Sequence, residues 1–531
     1  MLCPIHLFRC TSINAANQSA QCPAVCGALG AKLCLEAGTD IELGTTLLDW
    51  SADAVAENLL QRSTVIGANV HLYSNLIRAG LYDADPANDA LGAKDVDTRR
   101  SRQLALEAAT DAMVLLKNDR ALLPLNRSSG KPIRAALIGP HLNSTVDLLS
   151  SLAYTEDRTR GPPFATIEAA FRRREAAAGF HVVGAALGCD IVAGCPTADT
   201  AGVTAAVKDA DVVIAFVGLH PASGAPSYPG YGTVCAESEA QDRLNISLCG
   251  EQQAVLEAAM SGGAPLVVVM INGGTIDLSW VSEHADAVLN AWYPGEWGGE
   301  AVASVVFGDR HPTGRLPVTI YPSSVVDTRV IGDMDLRSAR GLSYMHYRGH
   351  PVYPFGYGLS YTTWRTELPT TSLTTTTSAL VADYVAYYSP GAAGAPFFDA
   401  STSLPVVVTN TDGPRHLGGG GSSVVVQVFA TLSTPSAAAM AGGTLAPPLR
   451  QLVGFERSPG IGAGGARTIK VSLTPLALTR VDADGNQWIE AGTWTLSATV
   501  DGTSFLNATL AVTGPRRQVM AWPDPSEYRS S

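Results

Sequence analysis

The sequence predicts an α/β protein in series with an all-β one: a parallel-rich α/β sandwich over residues 132–320, then an antiparallel β-sandwich over residues 403–513. Three observations predict it. Between residues 132 and 320, short apolar runs alternate with amphipathic stretches, as expected of strands buried on both faces and covered by helices. Beyond about residue 403 the apolar period becomes two, with turn residues at regular spacing. Finally, 531 residues are too many for one ordinary core.

Taken in order, "TLLDWSADAVAENLLQRSTVIGANVHLYSNLIRAGL" carries apolar residues at helical spacing, with Ser51 as the expected N-cap. "VDTRRSRQLALEAATDAMVLLKND" is a second amphipathic helix running into a strand-like end. "IRAALIG" (133–139), "FHVVGAAL" (180–187), "DVVIAFVG" (211–218), "PLVVVMING" (265–273) and "ADAVLNAWYPG" (285–295) read as strands. Residues 197–210, 250–263 and 298–309 read as the helices between them. "HPVYPFGYGLSYTTW" is an irregular aromatic linker, and "TELPTTSLTTTTSAL" a low-complexity surface loop. "LPVVVTNTD", "SSVVVQVFATL", "RTIKVSLTP" and "GTWTLSATV" are the alternating strands of the sandwich, whose expected role is to brace the linker. The divisions are therefore 1–75, 76–131 (helical linker), 132–320, 321–402 (linker and loop), 403–513 and 514–531 (tail).

Composition narrows the function. The chain is 46% hydrophobic and 16% charged, a folded composition. A net charge of −12 argues against a nucleic-acid partner. No apolar run reaches the length of a membrane span. "INGGT" lacks the G-x-G-x-x-G form, no G-x-S-x-G elbow is present, and the histidines are scattered, which disfavours nucleotide binding and a Ser–His hydrolase.

One segment stands out. "CAESEAQDRLNISLCG" (235–250) gathers Glu237, Glu239, Asp242 and Arg243 between Cys235 and Cys249, on the loop after strand 211–218. In open α/β sheets ligands bind at the carboxyl ends of strands. The carboxylates are either solvated loop charges, one pairing Arg243, or include a half-buried glutamate that donates a proton. Cys189 with Cys195, and Cys235 with Cys249, could close small loops as disulfides or stand as free thiols. Sequons at Asn17, Asn126, Asn143, Asn245 and Asn507 favour a secretory route, although "MLCPIHLFRC" is a poor signal peptide.

The stretches "AATDAMVLLKNDRALLPL", "GCDIVAGC", "ADVVIAFVGL", "ESEAQDRLNISLCGEQQAVLEA", "AWYPGEWGGEAVASVVFGDRHPTGRLPVTIYP" and "PVYPFGYGLSYT" are collinear. With them the chain resembles glycoside hydrolase family 3, in its plant and fungal β-xylosidase/α-L-arabinofuranosidase branch. "LRQLVGFER" and "DADGNQWIEAGTWTLSATVDG" resemble the fibronectin-III-like domain that closes many members. The resemblance implies an exo-acting, retaining glycosidase that is extracellular, acts on an oligo- or polysaccharide, and uses neither metal nor cofactor. It implies Glu239 as general acid/base, with Glu237 the second choice, and Asp242 and Arg243 as loop support. It also implies a barrel ahead of the sheet domain, carrying an aspartate nucleophile in a "V-S-D"-like stretch. A (β/α)₈ barrel needs about 200–250 residues, whereas residues 1–75 hold only the end of one, at "AGTDIELG". No nucleophile is expected in this chain: Asp40 sits in the wrong motif and Asp49 at a helix start. The alternatives are a β-glucosidase of the same family and an inactive carbohydrate-binding or structural remnant. The resemblance separates neither xylose from arabinose nor either from glucose.

Overall fold

The computed structural model describes residues 24–521 apart from 43, 84, 87–89, 126–131, 146, 150–164, 177–178, 223–232, 238–242, 331, 389–401, 413–420, 436–446 and 483. The chain divides into two compact units, Met1–Asp97 with Trp522–Ser531, and Thr98–Ala521.

The first unit is helical among the described residues, with helices Ala24–Glu36, Thr46–Ala56 and Arg62–Arg78. Ala28, Leu35, Ala54 and Leu60 form its small core. Ser51 is not an N-cap: the helix starts after Thr45, and the Ser51 hydroxyl donates to the Leu47 carbonyl at 2.5 Å. Glu42 does the work expected of a cap by accepting from the Leu47 N–H at 2.6 Å, which satisfies one of the first turn's orphan donors. Helix Arg62–Arg78 has no buried residue.

The second unit opens with helix Arg99–Ala112, whose Thr98 hydroxyl accepts from the Ser101 N–H at 3.0 Å. Its main sheet comprises β1 (Val114–Asn118), β2 (Ile133–Ile138), β3 (Phe180–Ala186), β4 (Val212–Gly218), β7 (Leu266–Ile271) and β8 (Ala287–Asn290), in the order β1-β8-β7-β4-β2-β3. The short strands β5 (His220–Pro221) and β6 (Ala236–Glu237) pair with each other beside it. Every neighbouring pair in the main sheet is parallel except β1–β8. The sheet thus begins upstream of residue 132: "VLLKN", read as strand-like but placed in the helical linker, finds its partner in β8, more than 160 residues later. Side chains alternate between two cores, as a two-sided sheet requires. Leu137, Ile214, Phe216 and Val269 pack on one face with Phe171 and Val302. Ile138, Val213, Val217 and Met270 pack on the other with Val203, Val255 and Leu256.

The β-sandwich adds β9 (Trp364–Glu367), β10 (Ser372–Thr376), β11 (Ser403–Asn410), β12 (Val425–Pro435), β13 (Gln451–Arg457), β14 (Ala466–Ser472), β15 (Arg480–Val481), β16 (Gln487–Ile489), β17 (Gly492–Thr499), β18 (Leu506–Thr513) and β19 (Arg517–Met520). Its larger sheet runs β10-β18-β17-β12-β13 and its facing sheet β14-β11-β9. "TELPTTSLTTTTSAL" is therefore no surface loop. It supplies the end of β9, all of β10 and the start of helix Thr377–Tyr388. The threonines that look like low complexity are β-branched strand formers, and Thr375 is buried on the β10 face.

The sandwich is joined to the sheet domain through the linker. Leu316 N–H donates to the Tyr357 carbonyl at 2.9 Å, and Gly358 N–H to the Asp501 carbonyl at 3.2 Å. Arg315 Nε donates to the Val500 carbonyl at 2.8 Å, and Arg457 forms an ion pair with Asp111. Among the described residues, no helix is long and apolar enough to cross a membrane.

Candidate active site

The sheet order places a topological switch point between β2 and β4, since β3 lies outside β2 on one side and β7 and β8 continue from β4 on the other. Such a crevice at the carboxyl ends of strands is where open α/β sheets bind ligands. His141, Asp147 and His220 lie at this rim, and Glu237, Arg243 and Tyr293 beside it, at the turns after β7 and β8.

After β2, Gly139 turns the chain toward His141, and after β4, Gly218 turns it toward His220. Gly218 has φ +151°, and a Cβ there would sit on the Ile271 backbone, so only glycine lets β4 end so close to β7. Gln252 fastens the turn: Gly218 N–H donates to its Oε1 at 2.7 Å, and its Nε2 donates to the Gly218 carbonyl at 2.8 Å. Asp147 lies between the two histidines, 2.8 Å from His220 Nδ1 and 3.9 Å from His141 Nδ1. Ser144 donates to the same carboxylate at 2.5 Å. The histidines read as scattered are thus brought together. They do not make a Ser–His catalytic pair, because the serine meets the aspartate and not an imidazole. Burial lowers the His141 imidazole to about 4, against the pull of Asp147. Burial acts to raise the Asp147 carboxyl, but hydrogen bonds from His220 and Ser144, with His141 nearby, hold it below its ordinary value.

Beside this group stands Glu237. β6 pairs in parallel with β5, and His220 N–H donates to the Cys235 carbonyl at 2.9 Å. A disulfide joins Cys235 to Cys249, and another joins Cys189 to Cys195, with Cα separations of 5.3 and 5.0 Å. Glu237 reaches the turn after β7. Its Oε2 accepts from Gly273 N–H at 2.9 Å and from the Tyr293 hydroxyl at 2.6 Å, and its Oε1 accepts from Gly274 N–H. A Cβ on Gly274 would occupy the place of Oε1, which explains the paired glycines of "INGGT". Asn272 steadies the turn by donating to the Gly274 carbonyl at 2.8 Å. Tyr293, on the turn after β8, has its hydroxyl pushed far above the ordinary value by burial and by the Glu237 carboxylate.

Arg243 completes the rim. Its Nη2 donates to the Thr275 carbonyl at 2.6 Å. Burial lowers the guanidinium's pKa, opposed by the nearby Glu237 charge. Glu239 and Asp242 lie outside the described residues. Of the acidic and basic residues singled out in the sequence, Glu237 and Arg243 therefore share one turn, and the two between them are not described. Asp40 lies in the helical unit, 3.0 Å from His71 Nδ1, and Asp49 lies inside a helix. The sequons at Asn143, Asn245 and Asn507 are exposed, while Asn17 and Asn126 lie outside the described residues.

Sequence reasoning missed Tyr293, Asp147 and the two histidines. Tyr293 was discoverable, because "AWYPG" is the turn at the carboxyl end of a strand read from the sequence, where open α/β sheets bind ligands. The histidines were not, because their proximity depends on strand order.

Residues 113–361 match the glycosyl hydrolase family 3 C-terminal domain, and residues 424–500 the fibronectin type III-like domain. A probable exo-1,4-beta-xylosidase of Neosartorya fischeri is 32% identical over 505 residues, covering 93% of this chain and 59% of that relative. An exo-1,4-beta-xylosidase of Emericella nidulans is 30% identical over 507 residues, covering 93% and 57%. Among solved structures, a GH3 exo-beta-xylosidase in complex with a xylobiose aziridine activity-based probe matches with TM-score 0.75 at 28% identity, covering 94% of this chain and 60% of that one. A β-glucosidase of Erythrobacter marinus matches with TM-score 0.68 at 25% identity, covering 92% and 60%. The chain thus spans about 60% of the length of the relatives it matches.

Proposed function

We propose, from the premise that this chain belongs to glycoside hydrolase family 3, that it supplies the acid/base half of an exo-acting, retaining glycosidase. The enzyme releases xylose or arabinose from the non-reducing ends of plant cell-wall poly- or oligosaccharides. The observation that carries this reading is the group of turns beside the switch point, where Glu237 and Arg243, which flank residues 238–242, both fasten to the turn after β7. Both Glu237 oxygens are engaged as acceptors, by two backbone amides and a phenol. A carboxylate whose two oxygens are both taken up by protein donors is engaged in holding the turn, which favours Glu239 as the acid/base.

The chemistry follows from paired carboxylates. Glu239, protonated, donates to the glycosidic oxygen as the bond to the anomeric carbon breaks. A carboxylate about 5–5.5 Å away attacks that carbon from the other face, giving a glycosyl–enzyme ester. Glu239, now ionised, takes a proton from water, which displaces the ester and restores both groups. The nucleophile, and the residues that grip the sugar hydroxyls, belong to the share of the relatives' length that these 531 residues do not span. The disulfides and exposed sequons support an extracellular setting.

The test compares residues 1–531 alone with a chain extended at its N-terminus by the corresponding segment of a family 3 relative. Nitrophenyl β-xyloside, α-arabinofuranoside and β-glucoside are the substrates. Turnover is expected only in the extended enzyme, on the pentosides, and lost in Glu239→Gln. Clear turnover by 1–531 alone, or turnover indifferent to Glu239, would overturn the reading. Preference for the glucoside would favour the β-glucosidase alternative.

A further inference from the structure

We infer that Glu237 and Arg243 are a positioning pair: they pin both flanks of the segment carrying the acid/base to one turn, Gly273–Thr275, and so set the direction from which the proton is delivered. The inference rests on the reading of Glu239 as acid/base.

Glu237 and Arg243 are six positions apart in sequence, yet both end on the three residues that follow β7 and its Asn272. The upstream anchor is anionic and takes the N–H groups of Gly273 and Gly274. The downstream anchor is cationic and takes the Thr275 carbonyl. Each thus meets the backbone group of opposite polarity, and charge-assisted bonds of this kind are shorter and stronger than neutral ones. The two flanks cannot exchange places without setting carboxylate against carbonyl and guanidinium against amide. The docking continues downstream, where Asp277 N–H donates to the Ile246 carbonyl at 2.7 Å. Upstream it is secured by the β5–β6 pairing and the Cys235–Cys249 disulfide. Tyr293 adds a third donor to Glu237 from a different strand end, tying the turn after β7 to the turn after β8. This is more fastening than a solvated loop needs. A proton donor must lie within hydrogen-bond reach of the leaving oxygen, and misplacement by about 1 Å can cost about 100-fold in rate.

The experiment has two arms. In the first, amide hydrogen exchange is measured on the full 531-residue chain. Glu237→Gln keeps the side chain's length but loses its charge and turns an amino group toward the Gly273–Gly274 donors. It is expected to speed exchange at those amides about tenfold, with strand β7 unchanged. Tyr293→Phe, which removes only one donor, is expected to give a smaller increase, and it serves if Glu237→Gln fails to fold. In the second arm the extended enzyme is assayed. Glu237→Gln and Arg243→Ala are expected to lower kcat by about 10–100-fold with KM little changed, and Arg243→Lys to recover part of the loss. Azide separates the roles: it is expected to yield glycosyl azide with Glu239→Ala, where the general base is gone, and none with Glu237→Ala. Unchanged exchange in both Glu237→Gln and Tyr293→Phe, or glycosyl azide from Glu237→Ala, would overturn the inference. Full turnover by Glu239→Ala would instead remove the acid/base reading beneath it, and exchange would still decide whether the anchor exists.

Discussion

Two carboxylates of the second unit are tied down in different ways. Glu490, in the sandwich, is held between guanidinium groups, with Arg480 at 3.2 Å and Arg516 at 2.8 Å. Its side chain is 3% exposed, and Arg516 also lies over the Trp488 ring at 3.7 Å. Glu237, at the rim, is held by backbone amides and a phenol, with its cationic neighbour occupied elsewhere. The first arrangement neutralises charge between side chains and closes the corner of a sandwich. The second fixes a direction in the backbone. The contrast teaches that a buried charge serves stability or geometry according to what its partners are attached to.

Stability measurements can break or sharpen that contrast. Glu490→Ala leaves two guanidinium groups without their shared partner and is expected to cost about 3–5 kcal/mol in urea unfolding. Glu237→Ala, which strands amides at a half-open turn, is expected to cost about 1–3 kcal/mol. Equal costs would erase the distinction. Next in size come the disulfides. Replacing Cys235 and Cys249 by serine opens a loop with a sequence separation of 14, with an expected loss of about 3 kcal/mol. The same change at Cys189 and Cys195, separation 6, is expected to cost about 2 kcal/mol. The reverse order would mean that the rim is less dependent on its bridge than the geometry implies.

The most gradual effect is in pH. His141 has a folded value of about 4, below the roughly 6.5 of an unfolded chain. As pH falls, the unfolded state takes up that proton first. Stability is therefore full above about 6.5 and declines toward 4, by at most about 1.4 kcal/mol per pH unit. Asp147, held below its ordinary value, adds a loss only at still lower pH. Melting temperatures recorded across this window should slope in the native protein and flatten in His141→Gln. An unchanged slope would assign the acid sensitivity to another group.

Most of the fold is legible in the sequence, because a strand buried on both faces has to be an unbroken apolar run, as "VVIAFVG" and "LVVVMI" are. The sandwich is legible for the complementary reason: its strands keep one face wet, so "SLPVVVTN" alternates. What fails is whatever depends on a distant partner. β1 reads as strand-like, but its place in the sheet does not, because β8 supplies its edge. β9 and β10 read as a loop because their partners lie after residue 403. The site divides along the same line. The cluster from Glu237 to Arg243 is visible as a local density of charge, but its turn of attachment is not. Nothing in "INGGT" announces that its amides will receive a carboxylate from 36 residues upstream.

The pairing of β10 with β18 has a consequence for synthesis. Residues 372–376 join the sheet through residues 509–513, and Arg315 closes on the carbonyl of Val500. On a ribosome, the α/β sheet has all its strands once residue 290 has emerged. The linker that seats the sandwich must wait for some 200 residues more, at about 5–20 residues per second. From the synthesis of residue 376 to that of residue 509, about 7–27 s at that rate, the nascent chain carries a finished sheet beside an unclosed threonine-rich edge. Such an edge is a template for intermolecular pairing. The low charge and high β-propensity of "SLTTT" leave that edge open to such pairing until β18 arrives.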